Sequence, residues 1–346
     1  MPHSRRSASD VNGVGSREFP LAGKSMALYE RGFFRPRRKK PVHGVELFRI
    51  MLLGDLARLG MRITVLCEKS WDWRVLEFAG ELSDGPGGIE FVTMPYLRRA
   101  RPTGWCAARK LIKSGQRFDI LMGGDPDVRT AGGLKMLMKA GLASRTLIMA
   151  DGRGRDVMLK RYRRDGFRFD VHTISMDVAE DFAGKFDGRL TSKHGIANAA
   201  DFLAVTPAYE REPNEKVKLG LFARLPSSSK GEEATRAAWA MLPAEVRAKA
   251  ELHLAGYLDP PQEDAGSGIV NYNWVPYSEA PSWMASMDIM VVHSTRESFC
   301  QSMVQGMLVG LPILSSTLPV LTEKLDTGGG IACEGVPELA AGMGLR

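Results

Sequence analysis

The chain has 346 residues, 44% hydrophobic and 25% charged, enough to build about two domains that each bury a core. No run approaches the roughly 18–20 uncharged apolar residues of a membrane-spanning helix. The four cysteines and six histidines show no paired or ligand-like spacing, which argues against a disulfide framework or a zinc site and for a reducing, cytoplasmic setting. The net charge of +7 lies wholly in residues 1–40, which hold ten basic and three acidic side chains. The remainder is balanced, so a basic, nucleic-acid-binding fold is not indicated.

Residues 1–24 are polar, rich in Ser, Gly and Arg, and without period, and read as a disordered basic leader with no apolar core of a secretory signal. Ser25–Tyr29 reads as a first strand, followed by a loop holding the basic run Arg35–Lys40. Val45–Leu59 has apolar residues at helical spacing and Gly60 as its stop, and Arg62–Cys67 is a second strand. Strand, loop, helix and strand in that order open a parallel, doubly wound sheet. The alternation continues with strands at Ile89–Met94, Asp119–Met122, Thr146–Ala150 and Val171–Ser175, and helices at Trp105–Lys113 and Leu134–Ala140.

Residues 206–216, polar and with two prolines, read as an interdomain linker. The cycle then restarts: strands at Val217–Phe222, Glu251–Gly256, Ile269–Tyr272 and Asp288–His293, and helices at Glu232–Leu242 and Ala280–Ala285. A further helix follows the loop after His293, then a strand at Ile313–Ser316 and a helix at Val336–Met343. The fold class expected is α/β: two Rossmann-like doubly wound domains facing a cleft, at 25–205 and 217–346.

Two segments carry chemistry. In Phe222–Gly231 a strand ends at Arg224, a Ser-rich loop follows, and Lys230-Gly231 opens the next helix. A guanidinium fork, an ammonium and a helix N-terminus can converge on one diphosphate. The segment also reads as an ordinary surface loop. In Met290–Ser316 a strand ends in a polar loop with one acid, Glu297, before a helix that carries Gln301, Ser302 and Gln305 among apolar residues. Glu297 can accept hydrogen bonds from sugar hydroxyls, and the main chain of Ser298, Phe299, Cys300 and Gln301 can donate to an anion. The plain alternative is a solvated loop acid beside a capping serine.

In order along the chain, these segments resemble the nucleotide-sugar half of retaining GT-B glycosyltransferases of family 4. Lys193–Phe202 resembles that family's "NGxD…F" passage, Leu219–Gly231 its "GRL…KG" loop, and Tyr272–Pro276 the loop whose backbone reads the base. Ala285–Ser316 resembles "aDv…pS..EgfG…EAmA.G.PVvas". The likeness covers roughly residues 190–340 well and 25–175 weakly. Pro41–Glu46 resembles the family's "GGxE" turn, with His43 replacing the first glycine.

The resemblance implies a metal-independent transfer of a sugar from a nucleotide-diphosphate sugar to a hydroxyl acceptor. Arg224 and Lys230 would neutralise the diphosphate by electrostatic transition-state stabilisation. Glu297 would hold the sugar, and Trp274 and Val275 the base, with Gly44 near the phosphates. Gln305 stands where the family carries a glutamate that grips the ribose diol; a neutral amide there weakens nucleotide binding by roughly 1–2 kcal/mol. Asp125, Asp127 and His43 are acceptor-side candidates, each also readable as a loop residue.

Arg98–Arg117 holds seven basic residues, no acid, and a Trp105 expected at the surface. The family resemblance implies that such a surface makes peripheral contact with an anionic membrane where lipid-linked acceptors reside; the segment otherwise reads as a solvated helix face. Family members continue into a C-terminal helix that crosses back to the first domain, whereas this sequence ends at Arg346, soon after the Val336–Met343 helix. That ending, Gln305 and His43 support an alternative: a non-catalytic nucleotide-sugar-binding or partner subunit. A sugar-nucleotide epimerase would need further carboxylates beside Glu297.

Overall fold

A computed structural model describes residues 19–29, 44–68, 87–95, 100–124, 131–150, 156–192, 199–205, 215–257, 266–326 and 328–344. His43, Asp125, Asp127, Arg98, Arg99, the Arg35–Lys40 run and residues 206–214 of the expected linker lie outside them. The chain forms two compact units, Met1–Ile148 with Arg161–Asp170, and Met149–Lys160 with Val171–Arg346.

The first sheet contains β1 (Ser25–Tyr29), β2 (Arg62–Glu68), β3 (Gly88–Met94), β4 (Phe118–Gly124), β5 (Ala143–Ala150), β6 (Asp170–Thr173) and β7 (Leu190–Ser192), in the order β3-β2-β1-β4-β5-β6-β7. Strand β1 runs parallel to both β2 and β4. The strand order therefore reverses between β1 and β4, and the chain leaves these two strands into residues 30–43 and 125–130.

The helices that follow are α1 (Gly44–Arg58), α2 (Ala100–Ser114), α3 (Ala131–Lys139), α4 (Asp156–Arg164), α5 (Met176–Glu180) and α6 (Ala199–Leu203). Residues 19–24, expected in the disordered leader, instead form a turn. The Leu21 amide donates to the Leu59 carbonyl at 3.0 Å, and the Arg62 amide donates to the Lys24 carbonyl at 2.9 Å. Trp105 corrects a second expectation. It is half-buried, with its ring so close to Gly132 of α3 that a Cβ there would stand 2.7 Å from it.

The second sheet lies wholly in the second unit. Its strands are β8 (Val217–Leu225), β9 (Ala250–Tyr257), β10 (Ile269–Asn273), β11 (Ile289–Val292), β12 (Ile313–Ser316) and β13 (Gly330–Cys333), all parallel, in the order β10-β9-β8-β11-β12-β13. Helices α7 (Glu232–Met241), α8 (Ala244–Arg247), α9 (Ala280–Ala285), α10 (Gln301–Val309), α11 (Pro319–Leu325) and α12 (Val336–Met343) cover it.

Strand side chains alternate between two faces, and each face has its own core. Leu219 and Leu221 of β8, Leu252 and Leu254 of β9 and Val291 of β11 pack with Trp239 of α7 and with Leu339 and Met343 of α12. On the other face, Met290 and Val292 of β11 and Ile313 of β12 pack with Met284 of α9, Met303 and Val309 of α10 and Leu321 of α11. Burial on both faces is why these strands read as continuous apolar runs in the sequence. Gly306 brings α10 onto the sheet, because a Cβ there would stand 2.9 Å from Met290.

Trp239 fills the first of these cores, with its indole N–H donating to the Ser267 carbonyl at 2.9 Å. Trp239→Ala is expected to cost about 3–5 kcal/mol, the usual range for a buried tryptophan. Denaturant unfolding of the variant against the parent checks this.

Candidate active site

In the second sheet the strand order reverses between β8 and β11, which pair through Ile289 with Leu219 and Met290 with Gly220. Connections from neighbouring parallel strands depart in opposite directions at such a point, opening a crevice at their C-terminal ends. The Ser-rich loop leaves β8 there and the acidic loop leaves β11, so the topology brings together two segments that are about 70 residues apart in sequence.

Three contacts join the loops. The Thr295 amide donates to the Ser229 carbonyl at 3.0 Å. Gly231, with φ 76°, lies so close to the main chain of His293 that a Cβ would stand 2.0 Å from its carbonyl oxygen. Only glycine combines that backbone conformation with that approach. The third contact is the ion pair between Lys230 Nζ and Glu297 Oε1, at 2.6 Å.

The carboxylate is the better sheltered partner: the Glu297 side chain is 8% exposed and that of Lys230 is 30% exposed. Ser294 Oγ donates to the same oxygen, Oε1, at 3.0 Å. The main chain of Ser294 is fixed in turn, because its carbonyl accepts from Ser316 Oγ at 2.5 Å. The next strand along contributes as well: His293 Nε2 donates to the Cys333 carbonyl at 3.2 Å, while its buried Nδ1 has no partner among the described residues. The ends of β8, β11, β12 and β13 thus support one carboxylate–ammonium pair.

Ser294 and Ser316 were not singled out from the sequence. Ser294 precedes Glu297 by three residues, close enough in sequence for a local side-chain bond, and that was the available signal. Ser316 carried none.

The remaining sequence candidates fall into separate places. Arg224 is exposed near the end of β8, where the pairing with β9 shifts register between Phe222 and Leu225. Trp274, 43% exposed, and half-buried Val275 follow β10, two strands away from β8. Gly44 is the first residue of α1, in the first sheet's sequence. Ser298 is half-buried, and buried Phe299 lies under the Lys324 ammonium, 4.9 Å from its ring centroid. Gln305 is only 3% exposed, and its Nε2 donates to Tyr277 Oη at 3.2 Å. Burial pushes the Tyr277 phenol up to about 12, and its ring meets Phe202 edge-on.

Cys300 precedes α10 with φ 65° and ψ 78°, a left-handed conformation at a non-glycine residue. Burial, with the Glu297 charge adding to it, pushes the thiol up to about 12, so it is not a nucleophile at neutral pH. Among the described residues, no group of three His, Cys, Asp or Glu side chains is arranged to hold a metal ion, and no helix is long and apolar enough to cross a membrane.

Residues 216–344 match the family model described as Glycosyl transferases group 1, a span holding Arg224, Lys230, Glu297 and every strand of the second sheet. The likeness to this family is carried by the second sheet. The chain is also similar over nearly its whole length to solved structures of GT-B fold. Sucrose-phosphate synthase from Thermosynechococcus elongatus superposes with a TM-score of 0.67 at 15% identity, covering 92% of this chain and 88% of that one. HepE from Anabaena, in complex with UDP-glucose, gives 0.59 at 16% identity, over 92% and 88%. Trehalose-6-phosphate synthase from E. coli, bound with UDP-2-fluoro glucose, gives 0.60 at 12% identity, over 92% and 90%. Among curated proteins no sequence matches. The two parallel doubly wound sheets agree with the α/β, GT-B expectation, and the family match favours an enzyme over the non-catalytic subunit.

The left-handed Cys300 gives a test free of ligand. Cys300→Gly and Cys300→Ala lose the same sulfur, but alanine keeps the backbone strain, so the glycine variant is expected to be more stable by about 1 kcal/mol. Paired thermal melts of the two variants measure the difference.

Proposed function

We propose that this glycosyltransferase moves a sugar from a nucleoside-diphosphate sugar to a hydroxyl acceptor, with retention at the anomeric carbon and without a metal cofactor. The observation that carries the reading is the Lys230–Glu297 pair at the sheet's reversal point, inside the span of the family match. It puts one cation and one sheltered carboxylate side by side, which is what a diphosphate joined to a hydroxyl-rich ring requires.

In this reading Lys230 and Arg224 take up the negative charge that grows on the diphosphate as the anomeric C–O bond breaks. Such preorganised charge is often the largest single contribution to catalysis. Glu297 accepts hydrogen bonds from the sugar hydroxyls, and Ser294 keeps its Oε1 in place. The amides of Ser298, Phe299, Cys300 and Gln301, at the start of α10, face the anionic end of the ligand. Trp274 and Val275 take the base, Gln305 the ribose side, and Gly44 the phosphates. His43, Asp125 and Asp127 are assigned to the acceptor side.

Residues 217–346 form the donor domain and 25–205 the acceptor domain, joined by 206–216. Because the Anabaena and E. coli neighbours carry UDP-sugars, UDP-glucose is the first donor to try. The acceptor is a glycan, a small molecule or a lipid-linked sugar. For the last of these, the exposed Arg109, Lys110, Lys113 and Arg117 on and after α2 supply cations for an anionic cytoplasmic membrane face.

Lys230→Ala is expected to lower kcat/KM by about 10²–10³-fold, the usual loss when one preorganised charge-stabilising group is removed. Its circular dichroism should match that of the parent. A variant with near-normal transfer would take Lys230 out of the mechanism.

A further inference from the structure

Glu297 does more to Lys230 than stand beside it. The 2.6 Å contact neutralises the ammonium with a carboxylate that is itself largely shielded from water. The carboxylate is anchored from the other side: Ser294 Oγ holds Oε1, and Ser316 Oγ holds the Ser294 carbonyl. Glu297 cannot swing aside without breaking bonds in a sheltered place, where charges are poorly screened.

An incoming diphosphate therefore meets a cation whose charge is already offset, and a fixed negative charge within a few ångströms of where its oxygens must sit. Attraction to Lys230 is opposed by repulsion from Glu297. A sugar on the diphosphate changes the balance. Both hydrogen bonds made to Glu297 among the described residues land on Oε1, and Oε2 can take hydroxyl donors from the ring. Those charge-assisted bonds offset the repulsion, but a diphosphate without a sugar has none to offer.

Resting on the proposed donor reading, we infer that Glu297 is a selectivity element that penalises diphosphates lacking a sugar. The site thereby discriminates against its own nucleoside-diphosphate product and favours its departure. Specificity of this kind comes from a repulsive element built against the wrong ligand. The role is distinct from gripping the sugar, since it acts on a ligand that has none.

Inorganic pyrophosphate tests this without knowledge of the base or the sugar. It is titrated calorimetrically into the full chain and its variants. Glu297→Gln keeps the shape of the side chain and its acceptor for Ser294 but removes the charge, and is expected to bind pyrophosphate about tenfold more tightly than the parent. Glu297→Asp, which draws the carboxylate back from Nζ, should fall between the two and serves if the glutamine variant fails to fold. Lys230→Met should weaken binding in either background. Equal or weaker pyrophosphate binding in both Glu297 variants, with Lys230→Met still deleterious, overturns the inference and leaves the donor reading standing. Indifference to Lys230→Met removes the donor reading itself, and the inference with it.

Discussion

The parallel pairing of β8 with β11 is the constraint on which the rest of the second unit depends. It sets the place where the strand order reverses, and there two loops distant in sequence must run side by side. The close approach of Gly231 to the His293 carbonyl and the bond from Thr295 to Ser229 then hold the two loops together. A sheet buried on both faces makes that arrangement costly to change, since β8 and β11 each contribute to the cores above and below. The ion pair at the loop tips therefore joins two residues whose main chains are positioned from beneath.

Much of this was legible in the sequence. Ala280–Ala285, Ile313–Ser316 and Val336–Met343 have the expected bounds to the residue, because Pro281, the Gly310-Leu-Pro312 turn and Pro337 punctuate them sharply. Others were missed. Helix α4 interleaves its apolar residues with four cations, and α5, α6 and β7 are too short to complete a recognisable period; β13 follows glycines and lacks the apolar run that marked β12. The turn at 19–24 is held by backbone bonds to Leu59 and from Arg62, and polar composition alone does not foretell those. Trp105 was misjudged because its neighbour is the glycine face of another helix, and nothing in the local charge pattern reveals that.

At the site, residue types were legible and contacts were not. Lys230 and Glu297 each stood out by their place at the end of a strand, but their direct pairing arises from strand order and from a glycine that permits near-contact of two backbones. Gln305 shows the other side of the same limit. Its position on α10 was clear from the spacing after Glu297, whereas its bond to Tyr277 depends on a loop 28 residues earlier in the chain. Tyr277 itself is set by its edge-on contact with Phe202, from a helix the sequence did not disclose.

Cys300 leads in another direction. Its thiol sits at the start of α10, sealed in the core beneath the acidic loop and held far from ionisation. An alkylating reagent can reach it only when the start of that helix lifts from the sheet. The rate of its labelling is then a clock for local opening of the loop that carries Glu297, read from a native side chain.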